Sequence, residues 1–123
     1  MRRLRSACAC LLAAWGATAL AQAGADCVPG GTPEQVNACA LRDFQAADAA
    51  VGVLYGDVMR ALSDVERPQL RREHSAWLQQ RTVACKLATR AFEQQADGPR
   101  RYHECLTEKT QERRQGLMAW LRG

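Results

Sequence analysis

The amino-acid sequence predicts an all-α protein, a small antiparallel three-helix bundle or stack of helical hairpins closed by two disulfides. Apolar residues recur at spacings of three and four through most of the chain after residue 33, which is the helical period. Short turn motifs separate these segments, and no stretch shows the alternation of apolar and polar residues that a strand requires. Four cysteines lie in this part of the chain, an even number that suits a disulfide framework.

The first 23 residues have the features of a secretory signal peptide. Three arginines precede an apolar run from Ala7 to Leu20, and small residues that suit an A-x-A cleavage site follow. This run is shorter than the roughly 20 apolar residues of a membrane span, although a retained anchor or a core helix is the alternative. We therefore expect cleavage near residues 21–25, a mature domain over 24–123 in the periplasm or secreted, and no membrane anchor.

The charge balance changes once the signal segment is removed. The whole chain has 17 basic and 13 acidic residues, and three of the basic ones lie in the signal segment. The mature domain therefore has a net charge near +1, without the concentrated basic face typical of nucleic-acid binding. That charge also gives no overall attraction to a cationic partner.

The first predicted helix begins at a recognisable cap. Thr32 can cap the helix, Pro33 fits its first turn, and the acidic Glu34 suits its positive end. The helical pattern breaks at Ser63 and Asp64. One stripe of this helix carries residues at steps of three and four: Leu41, Phe44, Asp48, Val51, Tyr55, Val58 and Leu62.

The second and third helices are separated by the turn motif Asp97-Gly98-Pro99. Pro68 fits the first turn of the second helix. The stripe of the second helix comprises Leu70, His74, Trp77, Arg81 and Ala84 or Cys85. The stripe of the third comprises Tyr102, Leu106, Thr110, Arg113, Leu117 and Trp120 or Leu121.

Polar residues occupy stripe positions where a plain bundle would have leucine. In antiparallel helices, a turn centred between residues 64 and 65 places Asp48 opposite Arg81, and a turn centred near residue 97 places Arg81 opposite Arg113. Thr110 lies one helical turn from Arg113. We call these four residues the polar layer, and we expect a charge-assisted pair between Asp48 and Arg81.

Two interpretations of the polar layer remain open. Glu73, Glu104 and Glu108 are expected to be solvated, so the two arginines would share one carboxylate. In the first interpretation, the Asp48 pair fixes the helix register while Arg113 reaches water or backbone carbonyls. In the second, the layer accepts an external anion such as a carboxylate of a partner protein.

The four cysteines of the mature domain are Cys27, Cys39, Cys85 and Cys105. We prefer the sequential pairing Cys27–Cys39 with Cys85–Cys105. The first bridge would hold the entry segment on the first helix, and the second would join the second and third helices near their shared turn, where the register places Cys105 about one helical turn from Cys85. Cys39–Cys105 with Cys27–Cys85 is the alternative. No C-x-x-C motif is present and neither histidine is spaced as a ligand partner, so we expect no metal site and no cofactor.

No arrangement of nucleophile, base and orienting group is recognisable, so we do not expect an enzyme. His74 is expected to be a hydrogen-bonded helix residue beside Tyr55 or Trp77. Arg100 and Arg101 directly follow the second turn, and together with Gly98 of that turn they form a candidate exposed contact loop, although charge at a turn is usually a matter of solvation.

Several of these residues together resemble the LprI-type lysozyme inhibitor family. The first helix has the run Asn37 to Ala40, and the third has a C-L, T-x-x-R, L ending. The second helix resembles the family's L, W-x-x-x-R, C spacing. The residues that carry the resemblance in the second and third helices are Leu70, Trp77, Arg81, Cys85, Cys105, Leu106, Thr110, Arg113 and Leu117.

The resemblance implies an exported, all-helical, disulfide-bonded protein, with lysozyme inhibition in part of the family. The partner would be a lysozyme or another envelope protein, and the alternative is a non-inhibitory structural or scaffolding protein of the cell envelope. The chain departs from the family pattern at Val51-Gly52, where Leu-Asn is usual. It also departs at His74, where Gln is usual, and at Thr82, where an acid is usual.

Overall fold

A computed structural model of the chain describes residues 24–123 and confirms the all-α prediction. Its helices are α1 (Pro33–Ala61), α2 (Glu66–Ala88) and α3 (Gly98–Trp120), with a 3₁₀ helix (Arg90–Phe92) between α2 and α3. Within the range 24–123 no strand is present. The expected signal segment, residues 1–23, lies outside the described residues.

Helix α1 begins at the cap that the sequence predicts. The side chain of Thr32 accepts a hydrogen bond from the Gln35 backbone N–H, and the Gln35 side chain accepts one from the Thr32 N–H at 2.9 Å. This reciprocal pair satisfies two backbone donors that a helix start otherwise leaves free. Gly30, with a φ of 72°, provides the left-handed backbone of the preceding turn.

A tight corner joins α1 to α2. The Ser63 hydroxyl donates to the Glu66 carboxylate at 2.8 Å and accepts from the Glu66 backbone N–H, which supports the start of α2. Arg67 Nε donates to the Met59 carbonyl oxygen at 2.9 Å, so one of the last carbonyls of α1 is also satisfied. These contacts hold the corner at the position that the sequence predicts.

The connection between α2 and α3 differs from the prediction. Helix α2 ends at Ala88, and α3 already begins at Gly98, with Pro99 in its first turn. The turn is therefore centred several residues before Asp97. Gly98 is buried, and a Cβ built there would lie 2.5 Å from the Phe92 carbonyl oxygen, so this close approach requires glycine.

Helices α1 and α3 run parallel to each other and antiparallel to α2. They approach each other closely, whereas the backbone of α2 lies farther from both. Asn37 joins their two starts: its Nδ2 donates to the Ala96 carbonyl at 3.0 Å, and its Oδ1 accepts from the Arg100 backbone N–H at 2.9 Å.

The apolar core lies at the α1–α2 corner and the end of α3, where the helical stripes meet. Most predicted stripe residues are buried or half-buried, although Leu41 is 39% exposed. Full burial of a valine or leucine side chain contributes roughly 1.5–3 kcal/mol to the stability of the fold. The central cluster comprises Val51, Val58, Leu62, Leu70 and Leu117.

Both preferred disulfides are confirmed. Cys27–Cys39, with Cα atoms 4.5 Å apart, holds the entry segment against α1. Cys85–Cys105, with Cα atoms 5.7 Å apart, joins the last turn of α2 to the second turn of α3. The alternative pairing across the bundle is therefore excluded.

Candidate functional site

The first half of the polar layer has the predicted arrangement. Arg81 Nη1 donates to Asp48 Oδ1 at 2.8 Å and to Thr110 Oγ1 at 2.8 Å, so one guanidinium nitrogen joins all three helices. The Thr110 hydroxyl in turn donates to the Leu106 carbonyl within α3. The Arg81 side chain is only 9% exposed, and the predicted register of α1 and α2 is confirmed.

The second half of the polar layer differs from the prediction. Arg113 donates hydrogen bonds to the Glu73 carboxylate from both terminal nitrogens, with Nη1 donating to Oε1 at 2.7 Å and Nη2 donating to Oε2. Its Nη2 also lies 3.3 Å from His74 Nδ1. Glu73 is exposed, as expected, but it also pairs with Arg113, so the expectation that two arginines share one carboxylate is wrong. Because the α2–α3 turn is centred before Asp97, the carboxylate that Arg113 contacts lies eight residues, about two helical turns, before Arg81, the residue predicted to lie opposite it.

A tryptophan separates the two arginines. The Trp77 ring centroid lies 4.9 Å from the Arg81 guanidinium carbon and 5.2 Å from that of Arg113. His74 stacks on Trp77 with centroids 5.3 Å apart, and Tyr55 stacks on His74 at 4.3 Å. Both cations therefore lie against an aromatic ring, which stabilises them where water is scarce.

We call the combined set the arginine layer: Asp48, Glu73, His74, Trp77, Arg81, Thr110 and Arg113. Each arginine has its own carboxylate, and these lie nearer the surface, with side chains 46% exposed at Asp48 and 45% at Glu73. The Nε atoms of both arginines are buried without a hydrogen-bond partner. Each guanidinium is neutralised by its own carboxylate, so the geometry favours the structural interpretation over an external anion.

Asp48→Asn is expected to lower the free energy of unfolding by more than about 1 kcal/mol. The substitution keeps a carbonyl acceptor but removes the negative charge that compensates the Arg81 guanidinium. The Arg81 side chain is only 9% exposed, so water cannot replace that charge. Urea unfolding followed by circular dichroism measures the change, with the exposed Asp43→Asn as control. Equal denaturant midpoints for the two variants would contradict a role for Asp48 in the layer.

The pKa of His74 is held below its ordinary value of 6.5, first by burial and then by the positive charge of Arg113, while Glu73 opposes the shift. The fold therefore favours the neutral ring, and the unfolded chain takes up the proton more readily. Its contribution to stability is complete above about pH 6.5 and declines as the pH falls below that value. The pKa of Glu73 is also lowered, chiefly by the Arg113 hydrogen bonds, so its contribution is lost below its ordinary 4.5.

His74→Gln is expected to flatten the decline in stability between about pH 6.5 and 5, because glutamine cannot take up a proton there. Urea midpoints measured from pH 7.5 to 5.0 provide the test. The wild-type protein measured over the same pH range is the reference. An unchanged slope in His74→Gln would show that another group causes the loss.

The predicted contact loop forms the first turn of α3 and not a free loop. Gly98 is buried, while Arg100 and Arg101 both pair with Asp97, at 3.1 Å and 2.8 Å. The pKa of Asp97 is held below its ordinary value, first by the Arg101 hydrogen bond. Arg101 also lies 4.0 Å from the centroid of the Phe92 ring. These arginines therefore hold the α2–α3 connection in place as well as facing solvent.

Charges are segregated on the surface. A groove of about 240 Å³ between α1 and α3 has three carboxylates on its walls, from Asp43, Glu104 and Glu108, around the single base Arg100. We call it the acidic groove. The exposed surface of α2 and of the 3₁₀ helix that follows it has the opposite sign. Four basic residues there form no ion pair within 24–123: Arg71, Arg72 and Lys86 on α2 and Arg90 on the 3₁₀ helix.

The described residues offer no group of three or more His, Cys, Asp or Glu side chains that could hold a metal ion. None of the three helices is both long enough and apolar enough to cross a membrane. The charged residues of the arginine layer form ion pairs with one another inside the domain. These features define a small helical domain that is closed by two disulfides.

The sequence profile that matches this chain is that of the family described as lysozyme inhibitor LprI, over residues 27–117. The match extends from the first disulfide cysteine to the last buried leucine of α3. The chain therefore belongs to the LprI family. No curated protein and no solved structure matches the chain.

Proposed function

We propose that this protein is exported to the periplasm or secreted, and that it inhibits a lysozyme or related cell-wall hydrolase by binding it. The family match over residues 27–117 is the observation that carries the proposal. Two disulfides suit an oxidising compartment outside the cytoplasm. A rigid three-helix frame is also suited to inhibition, because little conformational freedom is lost on binding.

The acidic groove is the contact face that we favour for a cationic lysozyme. The net charge near +1 gives no overall attraction, but the segregated surface gives a local one. Asp43, Glu104 and Glu108 outnumber Arg100 on the groove walls, and Arg100 is already paired with Glu104. Local charge of this kind raises association rates with a partner of opposite sign.

Loss of turbidity of a cell-wall suspension, measured with the purified and oxidised 24–123 domain, tests this function. Inhibition that rises with inhibitor concentration is expected, and lysis undiminished at a large molar excess rules out the lysozyme used. Glu108→Lys on the acidic groove should weaken inhibition several-fold. Asp64→Lys at the α1–α2 corner makes the same charge change at a 96% exposed side chain and should have little effect.

A structural or scaffolding role in the cell envelope is the second candidate. The observation that favours it is that the residues that carry the family resemblance are largely used internally, in the arginine layer and the second disulfide. They maintain the frame and leave the identity of the partner to the variable surface. Capture of assembly proteins from the periplasm, together with no hydrolase and no inhibition, would support this role instead.

A further inference from the structure

A second groove, of about 520 Å³, lies between the end of α2 and the start of α3, on the other side of the α3 N-terminus from the acidic groove. Leu87, Pro99 and Tyr102 give it apolar walls, and Lys86 and Arg90 flank it with positive charge. We call it the basic groove. Its size suits one or two apolar side chains, and no part of residues 24–123 fills it.

The walls of the basic groove are fixed before any partner arrives. The Cys85–Cys105 disulfide joins α2 to α3 directly beside it. On the connection side, Arg101 packs on the Phe92 ring, and the close approach of Gly98 to the Phe92 carbonyl holds the 3₁₀ helix against α3. A preformed groove loses little conformational entropy when a ligand binds.

The groove and the α2 surface beside it expose apolar area next to unpaired cations. Leu87 is 64% exposed, and Val83, one helical turn earlier, is 58% exposed. Lys86 and Arg90 form no ion pair with any residue that the structure describes. Glu93 is the one carboxylate among the lining residues, so the two cations keep an excess of positive charge.

We propose that the basic groove binds an acidic segment of a partner protein, in which a leucine or aromatic side chain lies next to one or more carboxylates. The apolar side chain would fill the space between Leu87 and Tyr102, while the carboxylates would pair with Lys86 and Arg90. This site is distinct from the acidic groove that we favour for the hydrolase. The protein would therefore bind two partners of opposite charge.

A second copy of the chain fits the basic groove less well than such a segment. The acidic surface of a copy is the groove between α1 and α3, whose carboxylates surround a depression and do not flank a projecting apolar side chain. Two concave surfaces leave the apolar space unfilled, so charge alone would hold the pair together. Exposed ion pairs contribute only about 0–1 kcal/mol each, which is too little for a stable dimer.

The test uses the oxidised domain and a fluorescent peptide of sequence acetyl-Gly-Asp-Glu-Phe-Asp-Glu-Gly-amide, with binding followed by anisotropy. Saturable binding is expected, weakening as salt is added. Replacing the phenylalanine by serine, or the acids by their amides, should each weaken binding at least about tenfold, because both parts of the motif are needed. No saturable binding up to about 1 mM peptide would overturn the proposal.

Two charge-reversal double variants locate the site. Lys86→Glu with Arg90→Glu should weaken peptide binding at least about tenfold, whereas Arg71→Glu with Arg72→Glu, the same charge change near the start of α2, should weaken it less than about threefold. Leu87→Ser should also weaken binding, and Val53→Ser on α1 should not. Equal losses for the two double variants would reduce the effect to net charge and overturn the proposal.

Two further readouts separate this inference from its competitors. The Lys86→Glu, Arg90→Glu variant should inhibit wall lysis as well as the wild type, so loss of the peptide site and loss of the proposed function are distinguishable. Sedimentation equilibrium should show a monomer. A dimer that this same double variant abolishes would assign the groove to a second copy and overturn the proposal.

Discussion

Replacing Glu73 by alanine is expected to lower the free energy of unfolding by about 3 kcal/mol, although this side chain is 45% exposed. The cost arises at its partner: the Arg113 side chain is 6% exposed and would keep its charge without a carboxylate. Removing one member of a buried pair leaves an uncompensated charge, which costs more than the pair itself contributes. Urea unfolding of the oxidised domain measures the change.

Two comparisons isolate this effect. Glu108→Ala, an exposed glutamate on α3 that forms no ion pair within the described range, should change stability by less than about 0.5 kcal/mol. Arg113→Met should cost less than Glu73→Ala, since it leaves only a half-exposed carboxylate. The double variant should recover part of the loss. A Glu73→Ala variant as stable as Glu108→Ala would show that water already compensates Arg113.

Removing the second disulfide by Cys85→Ala with Cys105→Ala is expected to cost about 3 kcal/mol. The bridge closes a loop with a sequence separation of 20, which includes the 3₁₀ helix and the irregular connection. Without it, the unfolded chain gains the freedom of that loop, and the walls of the basic groove lose their covalent link. Thermal and urea unfolding of the variant both measure the loss.

The first disulfide provides the comparison. Cys27→Ala with Cys39→Ala opens a loop with a sequence separation of 12, and the segment that it holds lies outside the helices. We expect a smaller loss of global stability than for the second bridge, because this segment can detach while the three helices remain packed. Equal losses would mean that the entry segment is part of the cooperative core.

Much of the fold could be predicted because most of the sequence features that mark the ends of the helices involve residues close together in the chain. The cap at Thr32 and the short corner at Ser63 fixed the two ends of α1, and a short corner determines register. Asp48 and Arg81 therefore met as expected. The second connection could not be placed in the same way, because the 3₁₀ helix after Ala88 depends on packing between Phe92 and Arg101, residues that belong to different elements.

The error in the second register hid the partner of Arg113. A charge count would have found it: two stripe arginines cannot both be buried against one carboxylate. Glu73 also lies four residues before Trp77, which itself lies four before Arg81, so the three are neighbours along one face of α2. Asn37 was noticed only for its resemblance to the family, and its two bonds to the start of α3 have no local sequence signal.

The parallel contact of α1 with α3 has a consequence for how the chain is delivered. Asn37 bonds to residues 59 and 63 positions later, so the first helix has its main neighbour only when the last third of the chain is present. Closing so long a loop is slow compared with forming a hairpin. We therefore expect the emerging polypeptide to stay open during synthesis. For a chain exported as proposed above, this is a state that can pass through a narrow translocation pore before it folds and its cysteines oxidise.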